Sequence, residues 1–261
     1  MDFRFKDVYN INDLVAIMRI LRAPDGCPWD RVQTHESIRQ NFIEETYEAV
    51  EAIDKGDVPL LREELGDVLM QVIFHSIMEE EKGTFNFDDV CNEVCQKLII
   101  RHPHVFGNIE ADTPEEVLKN WDAIKMQTKS QKSCADSVDD VARSLPALMR
   151  AQKVQKRSAK SGMDFHSAEE AAAKIPEEQR ELFEAVQSGD KAKTEEELGD
   201  LLFSVVNLAR LTGVDAEQAL YRSTDKFALR FRKVEELARD RGIDMHTAPD
   251  SLMDSLWEEV K

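Results

Sequence analysis

One carboxylate pattern occurs twice in this chain with the same internal spacing, and it limits what the chain can fold into. The first copy runs Glu44-Glu45-Thr46-Tyr47-Glu48, then Glu63-Glu64-Leu65-Gly66-Asp67. The second runs Glu177-Glu178-Gln179-Arg180-Glu181, then Glu196-Glu197-Leu198-Gly199-Asp200. Sixteen residues separate Glu48 from Glu64, and sixteen separate Glu181 from Glu197. A Gly-Asp pair, Gly56-Asp57 or Gly189-Asp190, splits each copy at its centre. Glu48 and Glu64 lie eight residues either side of Gly56, and Glu45 and Asp67 eleven. Glu178, Glu181, Glu197 and Asp200 repeat this symmetry about Gly189.

Such symmetry fits a helix–turn–helix hairpin. Equal offsets put paired acids at equal heights on the two arms, the inner pair roughly 12 Å from the turn at about 1.5 Å per residue. Spacing of i and i+3 puts the acids of each arm on one face. Each hairpin then gathers four carboxylates, which repel one another unless a cation sits among them. Oxygen-only donors suit a hard divalent ion such as Mg²⁺, which keeps positions open for water and phosphate.

The rest of the chain has the helical period. Ile11, Leu14, Val15, Met18 and Leu21 form one stripe, and Leu65, Val68, Leu69, Val72, Ile73 and Ile77 a strongly apolar one. Phe87, Val90, Val94 and Leu98 follow. Thr113-Pro114-Glu115-Glu116 reads as a capped helix start, continued by Val117, Leu118, Trp121 and Ile124. A second series repeats this order, from Ser144-Leu145-Pro146 through Leu198, Leu201, Leu202, Val205 and Val206 to Leu252, Leu256 and Trp257. The expected fold is therefore all-α: two tandem helical-bundle domains made by internal duplication. Residues 1–126 form the first, 127–140 a polar linker, and 141–261 the second.

Basic and aromatic residues recur with the acids. Lys97 and Arg101 share a helix face at i, i+4, as do Lys226 and Arg230, and Trp121 or Trp257 follows near the end of each repeat. Acids for a metal, cations for phosphate and an indole for a ring together suggest a nucleotide. His102 and His104 flank Pro103 without a third ligand nearby and read as structural, and His75 reads as a surface or core histidine.

A formal charge of −18 disfavours nucleic acid and anionic membrane as partners. The four cysteines, Cys27, Cys91, Cys95 and Cys134, form no CxxC pair, which suits a reduced, cytoplasmic chain. No signal peptide or membrane-length apolar run is read. Two other readings stay open on these residues. A di-iron bundle would supply Glu-x-x-His, where this chain has Asp67 and Asp200. A helical scaffold would show no turnover.

Further motifs carry a family resemblance. Gly26-Cys27-Pro28-Trp29-Asp30, Gln33-Thr34, the two acid sets, Lys97 to Phe106 and Arg143 to Lys153 together closely resemble the MazG family. That resemblance covers essentially the whole chain. It implies an all-α nucleoside triphosphate pyrophosphohydrolase, Mg²⁺ dependent, working as a homodimer and releasing a monophosphate and pyrophosphate; oxygen-only ligation would also suit Mn²⁺. It implies that the C-terminal repeat is catalytic, with Glu178, Glu181, Glu197 and Asp200 as metal ligands. Lys193, Lys226 and Arg230 would then touch phosphate and Trp257 the base, and Glu178 is the candidate to orient or deprotonate the water. Glu45, Glu48, Glu64, Asp67, Lys97 and Arg101 form the corresponding set in an N-terminal repeat expected to be mainly structural. One departure is Pro176, just before Glu177: a proline removes an amide donor, so the acid helix is expected to start or kink there.

Overall fold

The computed structural model describes residues 3–261 except 110, 112, 118, 119, 122, 123 and 125–132. Leu118 of the expected fifth helix and residues 127–132 of the expected linker lie outside the described residues. All regular structure among the described residues is helical. The chain divides into two compact units, Met1–Met126 and Gln127–Lys261.

In the first unit, α1 (Ile11–Arg22) starts at a reciprocal cap in which Asn10 and Asp13 exchange side-chain-to-backbone hydrogen bonds. Helices α2 (Arg39–Lys55) and α3 (Val58–Lys82) form the expected hairpin. Its turn needs only two residues. Gly56, at φ 66°, ends α2 with its amide on Ile53 O (3.1 Å), and Asp57 N reaches Ala52 O (3.0 Å). The Asp57 carboxylate then accepts from Leu60 N (3.1 Å) and opens α3. Val15 and Met18 of α1 pack with Ile38 and with Ile73, Phe74, Ile77 and Met78 of α3 to make the core. Arg22 seals its edge against Glu81 (2.7 Å). The apolar stripe of α3 therefore divides: its second half is core, while Leu65 and Leu69 stay exposed. Helix α4 (Phe87–Arg101) follows, and Pro103 opens the short α5 (Pro103–Phe106). The Thr113–Glu116 cap is present, with Thr113 Oγ1 accepting from Glu116 N (3.3 Å).

The second unit begins inside the stretch expected to be linker. Cys134–Asp139 is a helix, α6, capped by Ser133 and Asp136 (2.9 and 3.0 Å) and packed on α7 (Ala147–Ala159). Arg157 of α7 donates to Ser137 O and pairs with Asp140, and Val141 is buried. Polar composition concealed this helix because its hydrogen bonds are local and one arginine anchors it.

Helix α8 (Ala168–Ser188) runs through Pro176 and starts eight residues before it, which corrects the expectation of a start there. Ser167 caps it by accepting from Glu170 N (3.2 Å), and Ala171, Ala172 and Ala173 form a turn of strong helix formers ahead of the proline. Gly189, at φ 72°, and Asp190 repeat the two-residue turn; the Asp190 carboxylate accepts from Ala192 N (3.0 Å) and Lys193 N (3.2 Å). Helix α9 (Lys191–Leu211) returns along α8 and also packs on α7. Helices α10 (Ala216–Asp240) and α11 (Asp250–Glu259) share a core of Val234, Ala238 and Leu256.

Candidate active site

Each hairpin lifts its acids to one level, but only three of each four meet. Glu45, Glu48 and Glu64 offer oxygens that all lie within 4.8 Å of one another in the first unit, and Glu178, Glu197 and Asp200 do so in the second. Asp67 and Glu181 fall outside these trios, yet stay close enough to act on their neighbours' charge. Burial pushes the Glu64 carboxyl above its ordinary value, and Glu48, Asp67, Glu45 and Glu63 add to the rise. Glu45 is raised first by burial and then by Asp67, Glu48 and Glu44, with the Gln71 amide opposing. Glu197 is raised by burial and then by Glu181, while Lys193 opposes and Asp200 and Glu196 add. These are the marks of desolvated, crowded like charge.

The donor chemistry fits Mg²⁺. All three donors in each trio are carboxylate oxygens, with no histidine or cysteine joining them among the described residues. One wall is buried (Glu64 or Glu178), while Glu48 and Asp200 are exposed, so each trio has an open side for water or phosphate.

The cations distribute unevenly. Lys193, one turn before Glu197, stands near enough to lower its pKa, which places it beside the acids as expected. Lys174, one turn before Glu178, was missed in the sequence. It pairs with Glu177 (2.9 Å) and Glu178 (3.2 Å), an i, i+4 signal that the spacing already contained. The first unit has Asn41 and Leu60 at the positions of Lys174 and Lys193.

Lys226 and Arg230 lie on α10, and neither forms an ion pair with a hairpin acid among the described residues. Arg230 donates to Lys261 O (3.3 Å), and Trp257 packs on Phe227 with ring centroids 5.2 Å apart. In the first unit α4 ends at Arg101, whose guanidinium lies 5.3 Å over the Trp121 ring. The His102 ring meets the same indole edge-on and its Nδ1 donates to Leu98 O (2.6 Å), a structural use of that histidine. His75 is partly buried against His35, their Nδ1 atoms 2.7 Å apart, and makes no contact with the trio.

Comparison with known proteins shows the family. A family model described as the MazG nucleotide pyrophosphohydrolase domain matches twice, over residues 33–106 and 166–235, so that each match spans one acid hairpin. The nucleoside triphosphate pyrophosphohydrolase of Escherichia coli (strain K12) is 46% identical over 254 residues, covering 96% of this chain and 97% of that protein. The nucleoside triphosphate pyrophosphohydrolase/pyrophosphatase MazG of Thermotoga maritima is 45% identical over 249 residues, 95% of this chain and 94% of that protein. An uncharacterized protein of Bacillus subtilis, YabN, is 41% identical over 94% of this chain, which spans 50% of its length.

Proposed function

The chain belongs to the MazG nucleotide pyrophosphohydrolase family, and we propose that it splits nucleoside triphosphates, ribo or deoxy, into the monophosphate and pyrophosphate at the acid cluster of α8 and α9. The observation that carries this reading is the convergence of Glu178, Glu197 and Asp200 within 4.8 Å on an open, oxygen-only face. Mg²⁺ held there, or Mn²⁺, would neutralise phosphate oxygens and acidify a bound water. Glu181, one turn further along α8 and outside the trio, would complete the ligand set by a change of side-chain rotamer.

The chain's own groups then have distinct tasks. Glu178 is buried and held by Lys174, so its position is fixed and suited to orienting the water and accepting its proton. Lys193, in the first turn of α9, adds positive charge near Glu197. Lys226 and Arg230 share one face of α10 and would hold the phosphates, stabilising charge on the departing pyrophosphate.

Catalysis is assigned to the second repeat. Its helix continues ten residues past Arg230, whereas α4 ends at Arg101 and the guanidinium there is engaged by Trp121. Lys174 and Lys193 have only Asn41 and Leu60 as counterparts. A homodimer is part of the proposal. Phe183, Val186, Leu198 and Leu202 of the second hairpin and Tyr47, Ile53 and Leu65 of the first are all exposed within the chain, large apolar side chains that a second copy would cover. A cytoplasmic setting accords with four unpaired cysteines, and no helix among the described residues is long and apolar enough to cross a membrane.

The test is a pair of double variants assayed on ATP with Mg²⁺, products separated by ion exchange. Glu197→Gln with Asp200→Asn should abolish formation of AMP and pyrophosphate, while Glu64→Gln with Asp67→Asn should leave most of it. Release of ADP and orthophosphate, or equal losses from both pairs with helicity intact, would overturn the assignment.

A further inference from the structure

None of the acids, cations and rings assigned above comes from the motif Arg143 to Lys153. That motif instead holds a junction between two helix starts. Helix α7 opens at Pro146, which has no side-chain cap to offer. The Met149 amide in its first turn, one of those a helix start leaves without a partner, donates to Glu217 Oε2 in the first turn of α10 (3.2 Å). Gln152 of α7 makes the return bonds. Its Oε1 accepts from Ala216 N, the first amide of α10 (3.0 Å), and its Nε2 donates to Val214 O (2.8 Å). These two partners stand either side of Asp215, which caps α10 by accepting from Gln218 N (2.9 Å). Helices α7 and α10 therefore cap each other across 64 to 68 residues of chain.

The junction needs a glutamine. The Val214 carbonyl can only accept and the Ala216 amide can only donate, so both ends of the side chain are in use and its orientation is settled. Ala216 is 8% exposed, which leaves water little access to take over the bond. In the first unit the turn into α4 is held in another way: Thr84 Oγ1 lies 3.0 Å from Glu79 O, and Phe87 packs on the α1–α3 core.

Helix α10 takes its direction from this junction. It packs on α7, α9 and α11, and it shares the Val234, Ala238 and Leu256 core with α11. Trp257 rests on Phe227, so the indole travels with α10. The acids are set separately, by the Gly189-Asp190 turn, and Gln155 ties α7 to α9 at Phe203 O (2.8 Å). Helix α7 is thus a strut between the acid hairpin and an arm that carries Lys226, Arg230 and Trp257. Lys226 stands ten residues beyond Ala216, about 15 Å along the helix. At that radius a tilt of about 4° at the helix start moves the lysine by about 1 Å. A misplacement on that scale can cost as much as about 100-fold in rate.

We propose that Gln152 is a positioning residue of the second repeat. Through Val214 and Ala216 it sets the angle of α10, and hence the reach of Lys226 and Arg230 to a triphosphate held at Glu178, Glu197 and Asp200. Glu217 does the matching work at the start of α7. The proposal rests on the triphosphate reading above, and Gln152 acts through the helix rather than by touching substrate or metal.

The experiment compares full-length wild type, Gln152→Met and Gln152→Glu on ATP with Mg²⁺ across a range of pH, with Mn²⁺ affinity measured in parallel by electron paramagnetic resonance. Gln152→Met removes both bonds at similar volume. Its kcat/KM should fall about ten- to a hundred-fold, with KM raised, while Mn²⁺ affinity stays at the wild-type value because the trio is untouched. Gln152→Glu is isosteric and sharper. When protonated, the new carboxyl donates to Val214 O and accepts from Ala216 N as the amide does; when ionised, it can only accept and faces a carbonyl oxygen. Partial burial and the neighbouring Glu217 carboxylate raise its pKa. The ratio of Gln152→Glu to wild-type kcat/KM, taken at each pH, should therefore climb toward one as pH falls from about 8 toward about 5, while the ratio for Gln152→Met stays flat.

A merely structural glutamine would lower the melting temperature of both variants and leave kcat/KM unchanged below it; that result overturns the proposal. So does Mn²⁺ affinity falling in step with kcat/KM, since the junction would then be holding the acids. A flat ratio for Gln152→Glu overturns it as well, and this variant decides the matter if Gln152→Met does not fold. If wild type splits no triphosphate, the activity reading fails separately. Calorimetric binding of the α,β-methylene analogue of ATP to the three proteins then decides the positioning role, and equal affinity in all three would refute it.

Discussion

Two glycines ten residues apart in the second hairpin should respond to alanine with opposite signs. Gly189 is the turn residue, at φ 72°, and Gly199 sits in mid-helix between Glu197 and Asp200 without positive φ. A Cβ built on either meets no atom within 4 Å, so neither substitution carries a steric term and only backbone preference remains. At Gly189, an L side chain in the left-handed region costs about 1–2 kcal/mol. At Gly199, alanine restores about 0.5–1 kcal/mol that a mid-helix glycine gives up. The two variants should therefore differ by roughly 1.5–3 kcal/mol, a separation of roughly 5–15 °C in melting temperature for a unit of this size. Urea unfolding followed by far-ultraviolet circular dichroism measures both. If both variants move the same way, or if Gly189→Ala is neutral, the hairpin turn is not what this structure gives.

The same pair probes function. Gly66 occupies the place of Gly199 in the first repeat, so the chain holds an open-sided glycine beside both acid sets. A helix that accepts this loss twice, with nothing of its own within 4 Å, leaves room for something outside the chain to approach the backbone. Gly199→Ala should thus stabilise the protein while lowering turnover or weakening the proposed dimer. Full turnover and an unchanged oligomeric state would remove the close-approach reading and leave the glycine without a structural reason.

Two pH effects follow from the carboxyls. Glu64 and Glu197 hold their protons more tightly when folded, so their contribution to stability is full below the ordinary value of 4.5 and is lost as pH rises through the raised one. The melting difference between wild type and Glu64→Gln or Glu197→Gln, followed against pH without divalent ions, should widen with rising pH in favour of the variants, and millimolar Mg²⁺ should reverse it for Glu197→Gln. Glu79 is the opposite case: hydrogen bonds from Lys82, Thr84 and His35 hold it down to about 2. Its contribution is present above 4.5 and fades as pH falls toward about 2, so Glu79→Gln should flatten the acid limb of the stability curve; an unchanged limb would contradict the network.

The hairpins were legible because the signal was geometric. A Gly-Asp pair with acids at eight and eleven residues on both sides leaves little but a two-residue turn between level helices, and Gly56-Asp57 and Gly189-Asp190 form it. Which three acids meet was not legible. Spacing fixes the face of a helix but not the side-chain placement that brings Glu48 into one trio and leaves Glu181 out of the other. Pro176 misled because one missing amide is a local loss, and the Ser167 cap and three alanines ahead of it outweigh that loss. The helix at Cys134–Asp139 was hidden for the converse reason: its anchor, Arg157, lies twenty residues on.

The duplication itself could have shown more. Where a chain contains the same fold twice, positions that hold the fold should stay alike in chemistry, and positions freed from that duty can diverge. Gly56 and Gly189, Asp57 and Asp190, and all four acid pairs stay alike. Leu60 against Lys193, Asn41 against Lys174, Phe74 against Asn207 and Ile77 against Arg210 do not. Each of these four exchanges an apolar or uncharged side chain in the first repeat for a polar or charged one in the second, and each lies on the acid hairpin or within about three turns of it. Changes of the opposite sense occur along the same helices, among them Arg39 against Ala172 and His75 against Leu208, so it is the two lysines that set the second repeat apart: Lys174 and Lys193 bring positive charge to Glu178 and Glu197, where the first repeat has Asn41 and Leu60.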